Sequence, residues 1–306
     1  MKIIVFGGSG FLGSHVCDKL SQAGHDVYIY DIVKSSWLRS DQTMIEGDIL
    51  NDVDVGKAVK DADAVFNFAG IADIGDANGR PVDTVKYNIL GNTILLEACR
   101  LNAVKRYVYA STVYVYSKSG GFYRCSKQAS ELYIENYHET YGLEYTILRY
   151  GSLYGPRSDN KNAIYRFVKE AIEKGTMTYY GTPDALREYI HVEDAALSSV
   201  EILKSDYANQ NIVLTGNQPM TVKNVFNMIA EMIGGNIKFV FNQDPNNGHY
   251  MITPYSFSPK MGKKMVPSVQ FDLGQGVLHI MENVHRELNP DMHDVGGYLL
   301  KEDLLS

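Results

Sequence analysis

The chain has 306 residues, 45% of them hydrophobic and 21% charged, so one large domain or two coupled lobes can build an ample core. A formal net charge of −7 argues against nucleic acid or an anionic membrane as the main partner, yet leaves room for an anionic small molecule at a local basic site. Cys17, Cys99 and Cys125 stand far apart with neither metal-ligand spacing nor a disulfide pattern, which fits a reducing cytoplasm and no metal, and no apolar run reaches membrane-spanning length.

In chain order, KIIVF at 2–6 reads as a buried strand entered directly from Met1, with no secretory signal ahead of it. GGSGFLG at 7–13 then reads as a glycine-rich turn opening a helix over Leu12–Ala23. Short runs rich in β-branched and aromatic residues follow at Val27–Tyr30, Ala64–Phe68, Tyr107–Ala110 and Tyr145–Leu148. Amphipathic stretches at Val82–Leu101 and Lys127–Tyr141 separate them. This alternation predicts parallel strands with crossover helices, an α/β doubly wound sheet. After Gly155 the regularity weakens; helices are predicted over Ala163–Lys174 and Thr221–Ile233, the second capped by Thr221. Residues 243–267 are rich in Asn, Pro, Gly and Ser and read as a long loop, a length that is often functional. The tail after Pro290 has little pattern and is either mobile or docked on a partner subunit.

Gly7, Gly10 and Gly13 stand between strand and helix. Backbone there must turn sharply, approach a pyrophosphate and let the helix pack on the strand. The N–H groups at the helix start, where Phe11 and Leu12 lie, favour a phosphate's charge. Asp31 ends the second strand; a carboxylate at that place accepts from both ribose hydroxyls of an adenosine and repels a 2′-phosphate, which favours NAD over NADP. Tyr123 and Lys127 are four apart, on one helix face. An ammonium beside a phenol stabilises the phenolate, so Lys127 is expected to lower the pKa of Tyr123 and make it a base toward a substrate hydroxyl. Ser111 and Thr112 follow the strand at 107–110, where a parallel sheet binds its ligands.

With these motifs stand GDI at 47–49, DAVFNFAG at 63–70, NILG at 88–91, STVYVY at 111–116, LRYGSLYGP at 148–156 and REYIHVED at 187–194. In that order they make the chain resemble the extended short-chain dehydrogenases/reductases, in the nucleotide-sugar epimerase/dehydratase family, over roughly residues 1–290. The resemblance implies a Rossmann-type sheet at 1–155, with a segment near 181–205 returning to it, and a smaller mixed α/β substrate lobe over 156–306. It implies that Asp48 and Ile49 contact adenine, that Phe68, Ala69 and Gly70 line the pyrophosphate and ribose, and that Asn88 and Tyr150 sit near the cofactor. Thr112 matches the hydroxyl that bonds the reacting oxygen, Ser111 being its neighbouring alternative, and Lys127 would also hold the nicotinamide ribose. Arg187 matches an arginine that engages a substrate diphosphate, with Ser152 and Tyr114 beside it. Asp194 is expected to cap the following helix, His191 to be structural, and the helices 82–101 and 122–141 to pair with their copies in a homodimer.

The departures narrow the chemistry. Where similar dehydratases, decarboxylases and epimerase-reductases carry carboxylates or a cysteine, this chain has Val113 and Tyr114, which implies no dehydration, decarboxylation or carbon-acid epimerisation. Ser152 replaces an asparagine, and a late arginine has no clear match, with His249 or Lys260 near its place. The loop at 117–122 is short: either the site is more open, or another segment, in 243–267, takes over its cover. The expected activity is NAD-dependent oxidation of a nucleotide-sugar hydroxyl, most simply at C-4, by a 4-epimerase or a 4-dehydrogenase. The alternatives are an NAD(P)-linked carbonyl reductase and a non-catalytic nucleotide sensor.

Overall fold

The alternation of strand and amphipathic helix persists in the folded chain, whose computed structural model describes residues 1–242, 248–255, 262–265 and 270–289. The first half contains β1 (Lys2–Phe6), α1 (Phe11–Gln22), β2 (Asp26–Asp31), β3 (Gln42–Glu46), α2 (Asp52–Ala58), β4 (Ala64–Asn67), α3 (Ile74–Gly79), α4 (Pro81–Thr84), α5 (Gly91–Leu101), β5 (Arg106–Thr112), α6 (Gly121–Tyr141) and β6 (Glu144–Tyr150). The second contains β7 (Ser152–Tyr154), α7 (Ala163–Lys174), β8 (Thr176–Tyr180), β9 (Leu186–His191), α8 (Val192–Glu201), β10 (Gln210–Leu214), β11 (Pro219–Thr221), α9 (Val222–Ile233), β12 (Lys238–Asn242), β13 (Lys263–Lys264) and α10 (Leu273–Leu288).

The large sheet runs β13-β10-β6-β5-β4-β1-β2-β3, with every neighbouring pair parallel. Alternate residues of its strands point to opposite faces, and both faces are covered. Ile4, Phe6, Val65 and Tyr107 pack with Val55, Leu95 and Ile134 of α2, α5 and α6. Ile3, Val5, Phe66 and Val108 pack with Val16, Leu20 and Ala195 of α1 and α8. Strand order reverses between β1 and β4, which opens a crevice at the carboxyl ends of the strands. The smaller lobe holds a mixed sheet β11-β9-β7 and a parallel pair β12-β8, around Phe167, Val168, Phe226, Ile229, Val277 and Ile280. This is the doubly wound sheet with a mixed C-terminal lobe that the motifs implied.

Local structure differs from expectation in one helix. Val82–Leu101 is not a uniform α-helix: residues Val85–Leu90 form a π-helical turn between α4 and α5. The turn turns Asn88 inward, which periodicity alone does not reveal. Thr221 caps α9 as expected, its hydroxyl accepting from the Asn224 N–H at 3.1 Å. Within the loop expected over 243–267, the described parts are 248–255 and 262–265, which include β13; Lys260 and the tail after Pro290 lie outside the described residues. Among the described residues no helix is long and apolar enough to cross a membrane.

Candidate active site

The glycine turn is shaped by close backbone approach. Gly7 has φ +75°, and a Cβ there would lie 2.5 Å from the Ala69 nitrogen. A Cβ on Gly13 would lie 2.2 Å from the Gly7 carbonyl oxygen. These contacts bring the end of β1, the start of α1 and the Phe68–Gly70 segment after β4 into one cradle. No side chain caps α1, and its first turn holds no acidic residue. The leading N–H groups, those of Phe11 and Leu12, have no acceptor inside the helix, so the cradle suits an anion.

Asp31 lies at the carboxyl end of β2, beside the cradle. Its carboxylate accepts the Ser9 N–H at 3.0 Å and the Val33 N–H at 3.4 Å. Asp48 accepts the Leu50 N–H at 2.9 Å through its side chain and the Tyr30 hydroxyl at 3.0 Å through its carbonyl. Ile49 is buried against Gly91. The Asn88 amide engages the fold: its oxygen accepts the Ile71 N–H at 2.7 Å, and its nitrogen donates to the Ile71 carbonyl at 3.0 Å and Ser126 Oγ at 2.9 Å. Uncapped helix, glycine cradle and carboxylate at the end of β2 together fit a dinucleotide.

Thr112 is the last residue of β5 and is buried; its hydroxyl accepts the Tyr114 N–H at 3.3 Å, starting the short turn Val113–Tyr116. α6 opens after Gly120, whose φ of +97° reverses the chain, and sets Tyr123 and Lys127 one turn apart. The Thr112 hydroxyl lies near enough to the Tyr123 phenol to favour its ionisation. The Lys127 ammonium donates to the Ala110 carbonyl at 2.7 Å and lies 4.7 Å from the Tyr109 ring centre and 5.8 Å from that of Tyr123.

The electrostatics correct the expectation of a lowered Tyr123. Burial pushes its pKa up to about 12, and the Thr112 hydroxyl opposes that rise. Burial also pushes Lys127 down to about 8, with Glu131 opposing. In the chain's own field Tyr123 is therefore a phenol at neutral pH, because desolvation disfavours the anion. Ser111 faces elsewhere: its hydroxyl donates to Glu131 at 2.5 Å, and Glu131 forms a buried ion pair with Arg149 at 2.6 Å. Arg149 also donates to the Tyr116 hydroxyl. Tyr150 lies opposite Thr112 in the sheet register, but its hydroxyl meets Ser199 at 2.5 Å.

Between the lobes a cleft is lined by Tyr114, Ser152, Asn162, Arg166, Tyr179, Arg187 and His249, with no carboxylate among its described lining residues. Arg187 is buried, donates to the Leu186 carbonyl at 2.8 Å and the Tyr179 hydroxyl at 3.0 Å, and stacks 4.5 Å over the Tyr250 ring. Arg166 escaped sequence reasoning. It lies one turn beyond Asn162, which caps α7 through bonds to Ile164 and Tyr165, and that cap was the available signal. The Tyr114 hydroxyl meets His249 Nδ1 at 2.6 Å, and its ring stands edge-on to Tyr123 at 6.3 Å.

Beyond the cleft, the capping assignment of Asp194 is wrong. His191 caps α8 by accepting the Glu193 N–H at 3.3 Å; Asp194, already inside the first turn, accepts the Phe271 N–H at 2.8 Å and ties down the approach to α10. His191 is buried, which pushes its pKa down to about 3.

The comparisons agree with this geometry. The model of the NAD dependent epimerase/dehydratase family matches residues 3–214. A Methanocaldococcus jannaschii protein assigned as a UDP-glucose 4-epimerase is 26% identical over 300 residues, covering 91% of this chain and 97% of that one. The crystal structure of a UDP-glucose 4-epimerase from Thermotoga maritima with UDP-glucose shares 25% identity at a TM-score of 0.83, covering 94% of this chain and all of that one, 100%. A UDP-N-acetylglucosamine 4-epimerase from Methanobrevibacter ruminantium, in complex with UDP-N-acetylmuramic acid, shares 26% identity at a TM-score of 0.80, covering 94% and 98%. Cradle, Tyr–Lys helix and family match converge: the chain is an enzyme of the NAD dependent epimerase/dehydratase family.

Proposed function

We propose that the protein is an NAD-dependent 4-epimerase of a nucleotide-diphosphate sugar, a UDP-linked hexose by analogy with its named relatives. The observation that carries this is the stacking of Tyr123 and Lys127 on one turn of α6 near Thr112, with Tyr123 6.3 Å from Tyr114, a residue lining a cleft that holds two arginines and no carboxylate among its described lining residues. Gly7, Gly10, Phe11, Leu12, Gly13, Asp31, Asp48, Ile49, Phe68, Ala69, Gly70, Asn88, Ser111, Tyr150 and the Tyr123–Lys127 face would hold NAD, directly or through the backbone they fix. When bound, NAD supplies an acceptor for the C-4 hydride and returns it.

Tyr123 takes the proton of the C-4 hydroxyl as the carbon is oxidised and gives it back when the ketone is reduced. Thr112 hydrogen-bonds the same oxygen, and Lys127 stabilises the phenolate. Arg187 and Arg166 face the diphosphate, with Ser152 and Tyr114 toward the sugar. Val113 is buried among Val213 and Tyr250, and neither it nor Tyr114 offers a carboxylate, so the reaction stops at hydride transfer.

In this reading the first lobe binds cofactor and the second mainly substrate. Exposed Val82, Leu90, Leu101, Phe122, Leu132 and Tyr141 support pairing of α4–α6 with a second copy as a homodimer. The free cysteines support a cytoplasmic setting. The test is incubation of purified enzyme with a panel of UDP-hexoses, with and without an electron acceptor. Formation of the C-4 epimer without acceptor is expected. A ketone formed only with acceptor makes the enzyme a dehydrogenase instead, and a 4-keto-6-deoxy product removes the proposal.

A further inference from the structure

The loop between Thr112 and α6 is short, and a segment remote in sequence lies against it. The Gly120 N–H donates to the Gly248 carbonyl at 2.8 Å. Gly248 has φ +68°, and a Cβ there would lie 3.1 Å from Ile74, so the segment rests on α3. Three residues later the Leu186 N–H donates to the Met251 carbonyl at 2.7 Å, on β9 of the smaller lobe. Between these two anchors, the Tyr250 ring is buried 4.7 Å from that of Tyr114 and lies under the Arg187 guanidinium. His249 binds the Tyr114 hydroxyl.

We propose that residues 248–251 are a strap that seals the sugar end of the cleft in place of a longer covering loop, with the Tyr114–His249 hydrogen bond as its latch. This rests on the 4-epimerase reading and names what keeps the reaction from leaking. A ketone formed at C-4 must turn its other face to the hydride donor without leaving. If it escapes, its two electrons stay behind on the enzyme as NADH, and turnover halts.

The latch suits this work. Although His249 keeps an exposed edge, desolvation by its neighbours and Arg187 hold its imidazole below its ordinary pKa, while desolvation and Tyr250 hold the Tyr114 phenol well above its own. The bond therefore joins a neutral phenol to a neutral imidazole. It joins a residue two positions past Thr112 to the strap. The strap's backbone spans both lobes, so one bond couples the reacting end of the cleft to its closure. Tyr114 and His249 are positioning residues here, and neither exchanges a proton with substrate.

The experiment uses the full-length enzyme with its NAD, as wild type, Tyr114→Phe and His249→Ala. Tyr114→Phe keeps the ring packed on Tyr250 and removes the hydroxyl alone, which guards against misfolding. Two readouts are taken: hydrogen exchange at the amides of Gly120 and Leu186, and the fraction of turnovers that end as enzyme-bound NADH with released ketone. Loss of a bond of ordinary strength changes an equilibrium about fivefold. Both variants should therefore speed exchange at both amides and raise the abortive fraction by about that factor, and the double variant should add little more. Fast exchange at these amides in wild type, or an abortive fraction unchanged in both variants, overturns the proposal. If wild type epimerises no nucleotide sugar while the two amides still respond together, the 4-epimerase reading falls and the interlobe latch stands.

Discussion

Replacing Lys127 with Met isolates the electrostatic part of the site. Lys127 is buried, and its ammonium lies 5.8 Å from the Tyr123 ring centre. At an effective dielectric constant of about 20, a unit charge at that distance stabilises a phenolate by about 3 kcal/mol, about a hundredfold in rate if the phenolate forms in the transition state. Tyr123 starts from about 12, so little of it is ionised at neutral pH and the whole effect should appear in kcat. Because Lys127 is held near 8, its charge is present below that pH and lost above it. Wild-type kcat should therefore carry a limb that falls above about pH 8, and Lys127→Met should lose this limb along with about a hundredfold of activity at pH 7. The assay is steady-state epimerisation from pH 6 to 10, as rounded bounds of about those values, with cofactor content checked for each sample. A variant within threefold of wild type, roughly the scatter of one hydrogen bond, or one that keeps the alkaline limb, would refute the role given to Lys127.

Thr112→Ala removes the hydroxyl that lowers Tyr123, so it should lower kcat by about tenfold. Subtracting a Tyr123→Phe baseline in an ultraviolet titration should then show Tyr123 ionising later than in wild type. Gly13→Ala forces a Cβ against the Gly7 carbonyl oxygen and should weaken NAD by at least about tenfold, read as cofactor retained through purification. Glu131→Gln breaks the buried pair with Arg149 and should cost about 3–5 kcal/mol of stability in urea unfolding. Retention of wild-type stability by that variant would mean that Ser111 and Tyr116 satisfy Arg149 without the carboxylate.

Much of the site was legible because its parts are local in sequence. The glycine turn needs only its own spacing, and Tyr123 and Lys127 need only a helix. What escaped depends on partners far along the chain. Tyr123 was expected to be acidified by its neighbour, but desolvation dominates and cannot be seen from a four-residue spacing. Asp194 has the residue type of a cap, yet the helix begins at Val192, so the extended residue before it, His191, supplies the cap. The π turn at 85–90 is invisible to a pattern that assumes one period. His249 reaches Tyr114 across 135 residues of chain, so nothing near either residue signals the contact.

The central claim is that one hydride leaves C-4 and returns to the same carbon within a closed site. It is tested most directly by giving the enzyme a UDP-hexose carrying deuterium at C-4, in ordinary water, and analysing the product by mass and proton spectra. The account predicts a C-4 epimer that keeps its deuterium at C-4, with no exchange at C-3 or C-5. Deuterium lost to solvent, or found at another carbon, would contradict it.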